Sequence, residues 1–329
     1  MNSHRRLAAA AALTFSFLCT TAAVAAPASP LPTATPESVG LSSERLGRLD
    51  DYLKQQIAGG RTAGGVVLIA RRGKVVWFHA LGSADLASKR PARTDDWFRL
   101  MSMTKPVTAV ALLTLYEHGK FQLTEPLSKY LPAFANVKVY AGKNDDGSMR
   151  LEDPKRAITI QDVFRHTAGF SYGYAAGSPV DDAYRNAGIS YEKADSLADL
   201  VDRMATVPLL SQPGTQYRYS FSHDVLARLV EVLSGEPFDR YCQRVVFEPL
   251  GMRETAFGVP GAVAARFPVT YSPNPKGDLV PYPSQETYAR YTAHPMGGIS
   301  LSSTPADYLR FAQMLLNGCL LYTSPSPRD

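Results

Sequence analysis

Apolar residues recur along the chain with two different periods. In residues 42–59, Leu46, Leu49, Leu53 and Ile57 lie three or four apart, one face of an amphipathic helix that Ser42 or Ser43 can cap and Gly59-Gly60 can end. Residues 65–70 and 74–78 are two β-branched-rich runs around Arg71-Arg72-Gly73, which predicts a hairpin with Val66, Leu68, Val75 and Trp77 facing a core. The stretch from Ser102 to Gly119 is apolar almost all round and predicts a central buried helix. Thr159 and Asp162 have the spacing of a capping box and open a short helix to His166. Ser222 is placed to cap a helix that buries Val225, Leu226, Leu229, Val232 and Leu233 and closes at Gly235. Thr304-Pro305 starts another helix, and residues 297–301 are a late, Gly-rich strand candidate. Residues 169–179 and 268–283 are rich in Gly, Pro and Tyr and predict loops. A hairpin, many helices and a late strand give an α+β fold with a helical region inserted into a sheet.

Both ends change the picture. Arg5 and Arg6, the apolar residues 7–18 and Ala23-Val24-Ala25 form the three parts of a secretory signal peptide, so residues 1–25 are expected to be removed and the mature protein exported, periplasmic or secreted. No later run approaches the roughly 18 apolar residues of a membrane span. At the other end, residues 319–329 match, residue for residue, one reading frame of a common transposase sequencing adapter. A single domain is therefore expected over residues 26–318, truncated at its C-terminus, with 319–329 an artefact.

Of the 329 residues, 45% are hydrophobic and 20% charged, an ordinary globular composition. The net charge is +5, and Arg5 and Arg6 account for two of it. A dispersed remainder of +3 is too weak for a nucleic-acid partner. Cys242 is the single cysteine in residues 26–318, which excludes an internal disulfide there. There is no clustered metal-ligand motif and no Gly-rich phosphate loop, so no metal or cofactor is expected.

The candidate chemistry is nucleophilic. Ser102 and Lys105 form S-x-x-K at the start of the apolar helix, and residues i and i+3 share a helix face. A lysine beside a serine can take its proton. Lys105 is the one charge between Arg99 and Glu117, which points to burial with a partner. Ser171 competes, in Gly169-Phe170-Ser171-Tyr172-Gly173, but a nucleophile elbow needs a strand before it and a helix after it, and here a capped helix precedes and loop sequence follows. Phe170 and Tyr172 are candidates for a pocket wall. Tyr219, before the helix at Ser222, is a possible proton shuttle.

Ser102-x-x-Lys105, the Tyr219-Ser220-Phe221 block after Pro213-Gly214-Thr215, and Phe247-Glu-Pro-Leu-Gly-Met252 together resemble the serine β-lactamase-like superfamily. The resemblance is nearest to its class C and penicillin-binding-protein-like branch, and within that to the family VIII carboxylesterases. It implies an antiparallel sheet flanked by helices, with the site between the sheet and an all-helical region. It implies that Ser102 is the nucleophile of an acyl-enzyme, that Lys105 and Tyr219 manage its proton, and that the Ser102 N–H is half of an oxyanion hole. The lactamases carry an amide where Phe221 stands, so a small ester is the expected substrate. A β-lactam or a D-alanyl-D-alanine peptide is the alternative, and a non-catalytic penicillin-binding-like protein the second. The late strands and the second oxyanion donor are expected beyond Gly318, which would leave the truncated chain itself inactive.

Overall fold

A computed structural model describes residues 31–282 and 289–319. The signal-peptide segment and residues 320–329 lie outside the described residues. Helix α1 (Ser43–Ala58) starts where Ser42 accepts from the Arg45 N–H and ends at Gly59, as its pattern predicts. It lies on the hairpin of β1 (Gly64–Arg71) and β2 (Lys74–Asp85). Its apolar face is only half covered, and Leu49 stays exposed. The hairpin turn is Arg72-Gly73, with φ of 53° and 72°. Both values are left-handed, the geometry whose twist matches paired strands. β2 runs past the predicted Phe78 because its far end pairs with β3 (Arg90–Pro91).

This sheet has the order β1-β2-β3, so among the described residues β1 has a neighbour on one side only. Its other edge borders a trough. One stretch, about 270 Å³, lies between Gly64-Gly65 and Pro268–Tyr271. A second, about 480 Å³, lies between Val66, Leu68 and the side chains of Leu100, Tyr308 and Leu309.

β4 (Phe98–Arg99) leads into α2 (Thr104–Glu117). As predicted, α2 is central: Val107, Ala111 and Leu112 are fully buried, while Leu113 and Tyr116 reach solvent. A hairpin follows that the hydrophobic pattern does not reveal, β5 (Val139–Lys143) with β6 (Met149–Glu152). The capping box of Thr159 and Asp162 forms and opens α3 (Ile160–Phe164), which stops short of His166 because His166 takes a left-handed φ of 57°. Then come α4 (Pro179–Asn186), α5 (Leu197–Met204) and α6 (Ser222–Ser234), and α6 packs against α2, α3 and α5. The N-cap of α6 is Phe221 and not Ser222. Ser222 has already turned inward, where its Oγ meets Ser220 Oγ at 2.8 Å, so it cannot serve the helix end.

After α7 (Phe238–Cys242) and α8 (Glu248–Leu250), β7 (Thr255–Phe257) joins a second sheet. Residues 268–283 hold a small hairpin of β8 (Tyr271–Pro273) and β9 (Leu279–Pro281), where a loop was expected. Its turn is built by Asn274, whose side chain accepts from the Lys276 and Asp278 N–H groups. The late strand is β10 (Leu301–Ser303), flanked by β4 and β7. Residues 297–300 fall before it and form a turn instead of strand. α9 (Pro305–Leu316) follows, capped by Thr304 as expected. No described helix is long and apolar enough to cross a membrane.

Candidate active site

Ser102 sits in a single 3-10 turn, Met101–Met103, just before α2. Met101 takes a φ of 48°, which costs a non-glycine residue about 1–2 kcal/mol. That bend swings the chain out of β4 and leaves Ser102 exposed at the mouth of the helix. Three residues on, the Lys105 side chain is buried and returns along the same face. Its Nζ donates to Ser102 Oγ at 3.1 Å and to the Gly298 carbonyl at 2.8 Å. The i, i+3 spacing therefore produces the contact that it predicts.

Tyr219 arrives 117 residues later by a different route. The loop before it is pinned to the end of α3: the Gly214 N–H donates to Thr167 O at 2.8 Å, and the Arg218 N–H to His166 O at 2.7 Å. Gly214 is favoured there by its left-handed φ of 82°, and it lies against the guanidinium of Arg156, which donates twice to Asp162. Held this way, Tyr219 donates its O–H to Ser102 Oγ at 2.6 Å. The Lys105 ammonium stands 4.7 Å from the Tyr219 ring centroid. One oxygen thus accepts from a lysine and a tyrosine at once.

Behind them stand His166 and His223, with ring centroids 4.9 Å apart. Burial, with Lys105 nearby, pushes His166 down to about 4. Burial, then His166 and Lys105, pushes His223 down to about 3. Both rings are neutral at ordinary pH, and neither touches Ser102 or Ser171. Asp224 is fully buried on the same helix, and burial pushes its carboxyl up to about 6.

Ser102, Lys105 and Tyr219 open on a cleft of about 600 Å³ whose wall includes Tyr172, Tyr174 and Ile299. The Tyr172 and Tyr174 rings stack at 5.2 Å and 10°. Tyr172 is where the sequence expected it. Phe170 and Phe221, the other pocket candidates, are not in the wall. Phe170 is buried against Phe134, with ring centroids 5.4 Å apart. Phe221 lies behind the wall, edge-on to Tyr172 at 4.5 Å and to Tyr191 at 5.0 Å. No Asn or Gln side chain is among the described residues that line the cleft. Ser171 borders it too, but its hydroxyl is buried and donates to Asp181 at 2.6 Å. Sequence reasoning missed Gly298, whose carbonyl holds Lys105, and Asp224. The sole signals were a Gly-Gly pair and an acidic residue in a helix's first turn.

A sequence model of the family described as Beta-lactamase matches residues 49–324. Esterase EstB of Burkholderia gladioli is 34% identical over 281 residues, covering 80% of this chain and 68% of EstB. Protein Rv1367c of Mycobacterium tuberculosis is 32% identical over 260 residues, which span 78% of this chain and 63% of that protein's length. Among solved structures, "EstCE1, a hydrolase with promiscuous acyltransferase activity" superposes with a TM-score of 0.65 at 27% identity, covering 83% of this chain and 72% of the other.

Proposed function

The chain belongs to the beta-lactamase family, and from that membership we propose an exported serine hydrolase that acts on small carboxylic esters through an acyl-enzyme. One observation carries the reading: Ser102 Oγ accepts from both Lys105 Nζ and Tyr219 O–H at the floor of an open, largely aromatic cleft. In the proposed cycle one member of this pair has first given up a proton to solvent, and the vacant site takes the Ser102 proton as Oγ attacks the ester carbonyl. The tetrahedral oxyanion forms beside the Ser102 N–H at the start of the helix, where the backbone dipoles favour negative charge. Collapse expels the alcohol, which leaves with the proton held by the pair. A water then gives its proton to the same pair, attacks the acyl carbon and releases the acid, and Ser102 recovers its hydrogen. Export rests on Arg5, Arg6, the apolar residues 7–18 and the Ala-Val-Ala that follows.

Esters are preferred over β-lactams because nothing in the described cleft wall offers an amide to a lactam's acyl-amide carbonyl. An unmade hydrogen bond there costs about 1–3 kcal/mol, or roughly 5- to 150-fold. Covalent capture is the direct test, since a single bond-forming event reads the nucleophile even where turnover is slow. A fluorophosphonate is expected to add to Ser102, to be absent from Ser102→Ala, and to be detected by peptide mass spectrometry. An adduct on Ser171, or none at all, overturns the assignment. Acylation by p-nitrophenyl butyrate is expected to outpace that by nitrocefin, and the reverse order would refute the ester reading.

A further inference from the structure

We propose that Asp224 is a positioning residue for Lys105, acting through the Gly297-Gly298 turn and not by contact with substrate. This rests on the assignment of Lys105 as the group that handles the Ser102 proton. The Gly298 carbonyl is the one protein acceptor that Lys105 Nζ has besides Ser102 among the described hydrogen bonds, so the place of that carbonyl decides where the ammonium points. The peptide unit just before it is clamped at both ends. Its carbonyl, Gly297 O, accepts from the Thr108 hydroxyl of α2 at 2.7 Å. Its N–H, on Gly298, donates to Asp224 Oδ1 of α6 at 2.9 Å. The other carboxylate oxygen, Oδ2, accepts from Tyr191 O–H at 3.0 Å.

The turn also lies so close against α6 that neither glycine has room for a side chain. A Cβ on Gly297 would lie 2.3 Å from the His223 carbonyl oxygen, and one on Gly298 2.4 Å from the Tyr191 hydroxyl. A buried carboxylate is a costly way to hold one N–H and one O–H, because neutral acceptors would do so without desolvating a charge. Its charge is what a neutral acceptor lacks. The charged and titratable neighbours of Asp224 are Lys105 on α2, His223 on its own helix, and Tyr191, Tyr172 and Tyr174 from the facing loops. Lys105 is the cation among them, and Asp224 is ionised above about pH 6. The carboxylate therefore acts on the lysine twice, by geometry through Gly298 and by charge.

The two actions separate experimentally. Asp224→Asn keeps the shape, and its amide can accept from the Gly298 N–H and donate to the Tyr191 oxygen, so the charge alone is lost. Thr108→Val loosens the turn without changing charge. The measurement is the rate of fluorophosphonate addition to Ser102 against pH, in the full chain, with thermal unfolding as the check on folding. In Asp224→Asn the acid-side limb of the profile is expected to move to lower pH by about one unit, the size of effect that a nearby opposite charge has on a proton. In Thr108→Val the rate is expected to fall several-fold with the limb unmoved. Tyr191→Phe, which removes a donor from Asp224 and pushes a proton onto it, is expected to move the limb the same way by less. This variant decides the matter should Asp224→Asn fail to fold. A wild-type chain that is not labelled at Ser102 overturns the functional reading and this inference with it. With the wild type labelled, a folded Asp224→Asn or Tyr191→Phe profile that superimposes on it overturns the action by charge, and a folded Thr108→Val that is labelled at the wild-type rate overturns the action through the turn.

Discussion

Ser102 and Ser171 border the same cleft, and what separates them is where each hydroxyl is spent. Ser102 Oγ is exposed and accepts from two donors, whereas Ser171 Oγ is buried and donates to Asp181. Ser171→Ala is therefore expected to lower stability by about 1–3 kcal/mol, the cost of leaving a buried acceptor unpaired, and to leave labelling of Ser102 within a few-fold of wild type. Loss of labelling in a folded Ser171→Ala would contradict this. The neutral histidines set a pH dependence of their own. His166 and His223 titrate near 4 and 3 in the folded chain, against 6.5 when unfolded. Between those values the unfolded chain binds more protons, so stability is full above about pH 6.5 and is lost as pH falls toward 4. Asp224 works in the opposite sense, since its folded value of about 6 exceeds the unfolded 3.8 and favours the fold below pH 6. Burial raises Asp307 as well, but the two histidines act together with carboxylates held low, such as Asp162 and Glu125, so the unfolding midpoint is expected to drop from pH 7 to 4.5. His223→Phe should flatten that slope, since the His223 Nδ1 has no partner among the described residues to lose. An unchanged slope would exclude His223 as a source.

At the scale of elements, the site is a meeting of three pieces far apart in the chain: the start of α2, the loop into α6, and the turn before β10. The turn is the least tolerant. Gly297 faces backbone, with the His223 carbonyl 2.3 Å and Ala227 Cβ 2.6 Å from where a methyl would stand. Neither can swing aside as a long side chain can. Gly297→Ala is expected to cost about 1–3 kcal/mol through overpacking, and to slow labelling of Ser102 by at least tenfold by shifting the Gly298 carbonyl. Equal stability and labelling would show that the turn can retreat from α6. Local signals served well for the elements that carry their own punctuation: the Ser42 cap, the Thr159–Asp162 box, Gly235 and the Thr304-Pro305 start all form. They failed at Ser222, where tertiary packing draws the side chain away from the helix end, and at the hairpins β5-β6 and β8-β9, whose strands are too short to show a period.

For the whole molecule, the edge of β1 that has no strand partner among the described residues is the feature with the largest consequence. Val66, Leu68 and Trp77 are only half-buried, and the trough beside Val66 and Leu68 is lined by apolar side chains. Fully covering such a side chain contributes about 1.5–3 kcal/mol, against net stabilities of about 5–15 kcal/mol, and an unpaired strand edge invites association. Residues 26–318 are expected to bind a hydrophobic dye and to unfold with low cooperativity. A sharp transition in the usual 45–65 °C range without dye binding would show that the open edge is no liability.

What the sequence determined by itself is what depends on neighbours in the chain. The i, i+3 geometry of Ser102 and Lys105, the burial of an apolar α2, the caps and the hairpin turn all follow from spacing and side-chain chemistry within a few residues. Tyr219 was tied to Ser102 through a resemblance, because 117 residues separate the two and no local period spans that distance. Tertiary structure decided which of two adjacent aromatics faces the cleft, sending Tyr172 into the wall and Phe170 into the core. It also decided that a Gly-Gly pair becomes the anchor of Lys105. That role exists only where α2 and α6 close on the turn from both sides, and closeness of that kind is a property of packing that no stretch of sequence contains.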